Sequence, residues 1–168
     1  MGIALYVVLG SIINIPLLAG SHIQTDLGYV AFGICCYLFG ADAFVVGMIG
    51  CMFESLLTSG WIPAGWMLGQ AFIGIVCGLI YTKTTDKRIH IAVTVIALIV
   101  GIVVIKTAVE CMMFSIPVGV KVPKNVVAFV SDLIPMITGL LLGYRLKDTA
   151  SIEEMIEGTY KYKRKGAL

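Results

Sequence analysis

The stretch IHIAVTVIALIVGIVVIKTAVE, residues 89–110, decides the fold. From Ile89 to Ile105 it carries no formal charge, and Lys106 and Glu110 then follow four residues apart. About 20 apolar residues suffice for a helix to cross the hydrocarbon core of a bilayer. A charged side chain at the centre of such a helix costs about 2.5–3.5 kcal/mol on insertion scales. The segment therefore reads as a membrane helix whose ionic pair must face something other than lipid. Glu54, Asn125 and Asp132 pose the same question in other apolar segments.

Composition agrees. The chain has 168 residues, of which 59% are hydrophobic and 13% charged, with a mean hydropathy of +0.99. Soluble domains carry about 25% charged residues, so lipid must be the principal solvent. The net charge of +2 is uninformative, and the five cysteines lack C-x-x-C spacing. Their odd number argues against a disulfide framework and for small packing residues. Residues 1–20 have no basic n-region, and Tyr6 stands where a myristoylation motif needs Ser or Thr.

Apolar runs predict an all-α, polytopic bundle of six helices at roughly 2–19, 26–40, 42–58, 64–82, 89–114 and 123–147. These form one membrane domain over residues 1–147, and residues 148–168 form a cytoplasmic tail. Gly40-Ala41-Asp42 forces a tight reversal, with Asp42 placed to cap the next helix. Pro117 and Pro123 bracket a loop, with Pro123 in the first turn of the last helix. Ala43-x-x-x-Gly47, Gly74-x-x-x-Gly78 and Gly139-x-x-x-Gly143 mark helix contacts. In the tail, Ser151 and Glu154 fit a capping box, and Lys161–Lys165 could rest on anionic headgroups. With both termini cytoplasmic, inside segments hold nine basic residues and outside loops only Lys121 and Lys124.

That topology brings the polar groups to one level. Glu54 lies about 18 Å up the third helix at 1.5 Å per residue. Lys106 and Glu110 fall in the outer half of the fifth, with Asn125 and Asp132 descending the sixth. Asn14, Asp26, Trp61 and Trp66 belong to the same side. A pocket open to the exterior accounts for this convergence. Each member also has a plainer role. Lys106 and Glu110 can neutralise each other, Asp132 can bridge helices, and the tryptophans can be interfacial belt residues. His22 and His90 read as peripheral, without metal-ligand spacing. No H-E-x-x-H, G-x-S-x-G or G-x-x-x-x-G-K-[ST] is present. Six short helices leave little room for paired transporter repeats. A ligand-binding subunit that takes its energy from partners fits these absences. The rivals are an intramembrane enzyme using buried carboxylates as acid and base and a membrane scaffold whose charges only pair helices.

Asp26-Leu-Gly-Tyr-Val-Ala-Phe-Gly-Ile-Cys-Cys-Tyr-Leu-Phe-Gly40, continuing through Val46-Gly-Met-Ile-Gly50 to Glu54, resembles helices two and three of substrate-binding S components of energy-coupling factor (ECF) transporters. Trp61-x-Pro63, Gly74, Gly78, Lys106 through Glu110 and Asn125 extend the likeness over roughly residues 4–146, closest to the riboflavin-transporter-like branch. The resemblance implies a non-enzymatic subunit without a cofactor or metal, in a bacterial or archaeal cytoplasmic membrane. It implies capture of a vitamin or nucleobase-like micronutrient at the extracellular face, and partnership with a transmembrane coupling subunit and two cytosolic ATPases. By position it carries the site to Glu54, Trp61, Trp66, Lys106, Glu110 and Asn125. Because carboxylates outnumber Lys106, a cationic or donor-rich ligand is expected. Helix one offers only Gly2, Ala4, Gly10 and Ser11 as a docking stripe.

Overall fold

The computed structural model describes residues 1–12, 14–16 and 24–147, with side chains for 1–11 and 26–147. His22 and the expected tail features at Ser151, Glu154 and Lys161–Lys165 lie outside the described residues. Helix α1 (Gly2–Ile12) leads into a short antiparallel pairing of β1 (Asn14–Pro16) with β2 (Gln24–Asp26). Beyond β2 the chain forms α2 (Gly28–Ser59), α3 (Ala64–Lys83), α4 (Lys87–Phe114) and α5 (Val118–Lys147). The protein is all-α in class. These last four helices are each long and apolar enough to cross a membrane, and α1 is a shorter apolar helix.

The described residues thus hold five continuous helices rather than the six expected. The second and third expected helices are arms of α2, Gly28–Phe39 and Ala43–Ser59, joined without a break by a 3-10 turn at Gly40–Asp42. Gly40 has φ +62°, a left-handed conformation that favours glycine. Asp42 makes no side-chain cap; it sits inside the turn rather than ahead of a helix. Along α1, Gly2 meets Cys35 and Val46, whereas Gly10 meets Asp26 and Glu54. The two arms therefore run in opposite directions beside α1.

Three other expectations change. Helix α1 stops at Ile12 instead of residue 19, because the chain there turns into β1, which ends at a proline without an N–H donor. Helix α5 begins at Val118, so Pro123 is an interior residue, as is Pro135. The stretch that decided the fold is not a uniform α-helix: Ile99–Lys106 is a π segment between two α segments. A π turn inserts an extra residue and shifts the register of the helix beyond it, a feature frequent at functional sites.

Lipid tails are as apolar as leucine, so helices in a membrane associate through close packing rather than hydrophobic expulsion. The three small-residue motifs supply this contact. Gly74 faces the Ala43–Phe44 backbone, Gly78 the Gly40 carbonyl, Gly139 the Val30 carbonyl and Gly47 the Phe32 ring. Gly69 packs on the Gly101 carbonyl inside the π segment. Bulky side chains such as Leu57, Ile96, Met112 and Ile134 point outward, as a lipid-facing surface requires. Cys35, Cys36, Cys51 and Cys77 are buried free thiols and Cys111 is half-buried, in keeping with the packing role.

Candidate functional site

A cavity of about 380 Å³ opens at the end of the bundle where β2, the second arm of α2, the start of α3 and the α4–α5 connection meet. Of the sequence candidates, Asp26, Glu54, Trp61, Trp66, Lys106, Glu110, Asn125 and Asp132 all line it. The ninth, Asn14, pairs through its backbone with Asp26, and its side chain lies outside the described residues.

Lys106, Glu110, Asn125 and Asp132 are all buried, although each carries a strongly polar group. Helix register explains how they meet. The π segment ends at Lys106, and Glu110 lies one turn further on. From the facing helix, Asn125 accepts from Lys106 Nζ at 2.8 Å and donates through Nδ2 to Thr107 Oγ1 at 2.8 Å. The Lys106 ammonium also lies 3.6 Å from the centre of the Trp66 ring, a cation–π contact strengthened by desolvation. Its distance to Glu110 is a loose 3.8 Å, whereas Lys121 reaches Glu110 at 2.9 Å. The expected pairing of Lys106 with Glu110 is thus secondary to two interhelical contacts.

The opposite wall is acidic. Asp26 accepts from the Gly28 N–H at 2.7 Å and from Tyr6 Oη at 3.3 Å, while Gln70 Nε2 donates to Tyr6 Oη at 3.2 Å. A Cβ built on Gly10 would lie 3.0 Å from Asp26 Oδ1 and 3.1 Å from Glu54 Oε1. Only glycine lets these two carboxylates crowd the same spot. No described side chain supplies a cation or hydrogen bond to the Glu54 carboxylate, and the buried Gln70 Oε1 is also unpartnered. Among the described residues, the Glu54 carboxylate and Gln70 Oε1 thus face the cavity without a hydrogen-bond or ion-pair partner.

Sequence reading missed Tyr6, Gln70, Lys121 and Lys124 as lining residues. Tyr6 and Gln70 each sit in an uninterrupted helix with no partner visible in the chain. The sequence places Lys121 and Lys124 in an outside loop, whereas α5 starts early enough to hold both, and they line the cavity. They also alter the charge count: four carboxylates now face three lysines rather than one. Trp61 is half-exposed and meets Phe114 edge-on at a centroid distance of 5.9 Å, whereas one face of Trp66 is taken by Lys106. His90 is distant from this cavity, as expected, but fully buried rather than peripheral.

Long apolar helices around an internal polar cavity define a multi-pass membrane protein with a solvent-accessible polar site inside the bundle. The sequence matches the family model of the ECF-type riboflavin transporter S component over residues 1–151, and the chain belongs to that family. No curated protein matches the sequence. The protein is accordingly a substrate-binding transport subunit rather than an enzyme.

Proposed function

We propose that this subunit captures a small, water-soluble micronutrient at the extracellular face, for uptake driven by ATP hydrolysis in partner proteins. The candidates are a riboflavin-like compound, another vitamin or a nucleobase-like compound. The observation that carries this reading is the convergence of eight polar or aromatic candidates on one cavity. Asp26, Glu54, Trp61, Trp66, Lys106, Glu110, Asn125 and Asp132 form the binding set, with Asn14 beside Asp26 in the first loop. A volume of about 380 Å³ falls within the roughly 300–1,000 Å³ usual for small-molecule sites.

Glu54 and Gln70 Oε1 are acceptors without a partner among the described residues, so the ligand presents hydrogen-bond donors to that wall. A cationic ligand also satisfies it. Trp61 offers an aromatic face at the entrance. In this reading both arms of α2 cross the bilayer, giving six passes with both termini in the cytoplasm of a bacterial or archaeal cell. Residues 1–147 form the membrane domain and 148–168 a cytoplasmic tail. A transmembrane coupling subunit and two cytosolic ATPases complete the importer.

Isothermal titration of the purified chain against vitamins and nucleobases tests the ligand class, with mass spectrometry of whatever co-purifies. Donor-rich compounds should bind. Tight binding confined to acidic compounds refutes the charge argument. Uptake into proteoliposomes should require the coupling subunit and ATPases, and uptake by the chain alone refutes the coupling. A Gly119→Cys variant should react with an impermeant maleimide from outside intact cells; reaction only after lysis reverses the orientation.

A further inference from the structure

A second cavity, of about 310 Å³, lies at the other end of the bundle. Lys87 opens α4 and Lys106 lies 19 residues on, so the two cavities are about 30 Å apart at 1.5 Å per residue. The end of the first α2 arm, the α3–α4 connection and the last turn of α5 surround it, presenting Tyr37, Thr84, Thr85, Lys87, Tyr144 and Lys147.

Hydrogen bonds and ring contacts tie its walls together. His90 is buried beneath it, with Nε2 2.9 Å from the Thr84 carbonyl oxygen and Nδ1 2.7 Å from Tyr144 Oη. A carbonyl can only accept, so Nε2 carries the proton, and in the neutral ring Nδ1 accepts from Tyr144. Tyr81 and Thr94 share a hydrogen bond behind it. Tyr37 and Tyr144 pack edge to face at 4.6 Å. Lys87 Nζ stands 5.2 Å from the Tyr144 ring centre and Lys147 Nζ 5.3 Å from that of Tyr37. Neither lysine has a carboxylate partner among the described residues. Asp86, the residue before Lys87, acts electrostatically on the Tyr144 side chain of the wall; its carboxylate accepts from the Arg88 N–H and lies outside the lining itself.

Two ammonium groups over aromatic rings, around one cavity between membrane helices and with no described carboxylate in ion-pair contact with either, match the chemistry of a phosphate group. Basic pockets of this kind at the cytoplasmic side of membrane bundles take anionic headgroups. Exposed Phe39, Leu142 and Leu146 lie one turn or less from residues of the rim, where acyl chains would rest. We infer that this cavity binds a phosphate-bearing group, supplied by an anionic phospholipid headgroup or by a free phosphate compound. The site rests on the proposed orientation, which puts this end of the bundle in the cytoplasm, and is independent of the nutrient cavity.

The test uses the full chain in nanodiscs of phosphatidylcholine containing phosphatidylglycerol, with native mass spectrometry of retained lipid. Lys87→Gln and Lys147→Gln should each reduce phosphatidylglycerol retention about five-fold, in line with the contribution of one lysine at an anionic surface. Lys83→Gln and Arg88→Gln remove charge from the same end but lie outside the cavity lining, and should change retention less than two-fold. Equal losses in all four variants, or none in any, overturn the site. Titration of the detergent-solubilised chain with inorganic phosphate separates the two sources. Saturable binding lost in Lys87→Gln assigns a free phosphate, and its absence together with lipid retention assigns the headgroup. Ligand binding in the nutrient cavity should be unchanged throughout, so a failure here is distinguishable from failure of the proposed function.

Discussion

Replacing Lys106 by Met and Asn125 by Ala, singly and together, isolates the contact that joins the walls of the nutrient cavity. Asn125 accepts from Lys106 Nζ at 2.8 Å, and both residues are buried. Hydrogen bonds to charged groups contribute about 1.5–3 kcal/mol in water-soluble proteins. Between membrane helices, measured couplings average about 0.6 and reach about 1.7 kcal/mol, because the unfolded chain in the membrane also finds partners. A charged, desolvated donor at ideal distance belongs near the upper end. The expected coupling is therefore about 1–1.7 kcal/mol. Unfolding the four proteins in mixed micelles of increasing dodecyl sulfate content measures it. Asn125→Ala alone should cost more than the coupling, because it also strips Thr107 Oγ1 of its 2.8 Å donor. Effects that add to within about 0.3 kcal/mol, the tolerance for independent sites, would show that Lys106 is held by Trp66 and Glu110 alone.

The same geometry sets other outcomes. Glu54→Gln should leave apo stability unchanged or raise it, since no described group partners the carboxylate, yet weaken a donor-rich ligand by about 1–3 kcal/mol; parallel thermal shifts and titrations check the opposite signs. Glu110→Gln should destabilise more than Lys121→Gln in the same micelle assay, because Glu110 serves two lysines and the partly exposed Lys121 loses about 0–1 kcal/mol. Gly78→Ala should cost about 1–3 kcal/mol by forcing a methyl onto the Gly40 carbonyl. Gly119→Ala, with open space around it, should be neutral or stabilising by up to about 1 kcal/mol. Equal melting temperatures for these two glycine variants would refute the close α2–α3 packing.

The chemistry of the site was legible because hydrophobic context makes each polar exception conspicuous. Glu54, Lys106, Glu110, Asn125 and Asp132 stand out against leucine, isoleucine and valine, and an insertion penalty of a few kcal/mol gives each a reason to be there. Tyr6 and Gln70 were illegible for the converse reason: each is tolerable in an apolar helix and gains meaning only from a partner far away in sequence. The helix count differs from the sequence expectation at Gly40, where one glycine with positive φ folds α2 back on itself without ending the helical run.

By itself the sequence determined the solvent, the helical class and the inventory of buried charge, since all three follow from local composition and the length needed to cross a bilayer. Tertiary structure alone decided the partners. Lys106 turned to Asn125 and Trp66, and Glu110 to Lys121, because a π segment shifted one helix and an early start to α5 shifted its neighbour. Register between helices depends on which backbones approach closely, and that is a property of the packed bundle rather than of any one segment.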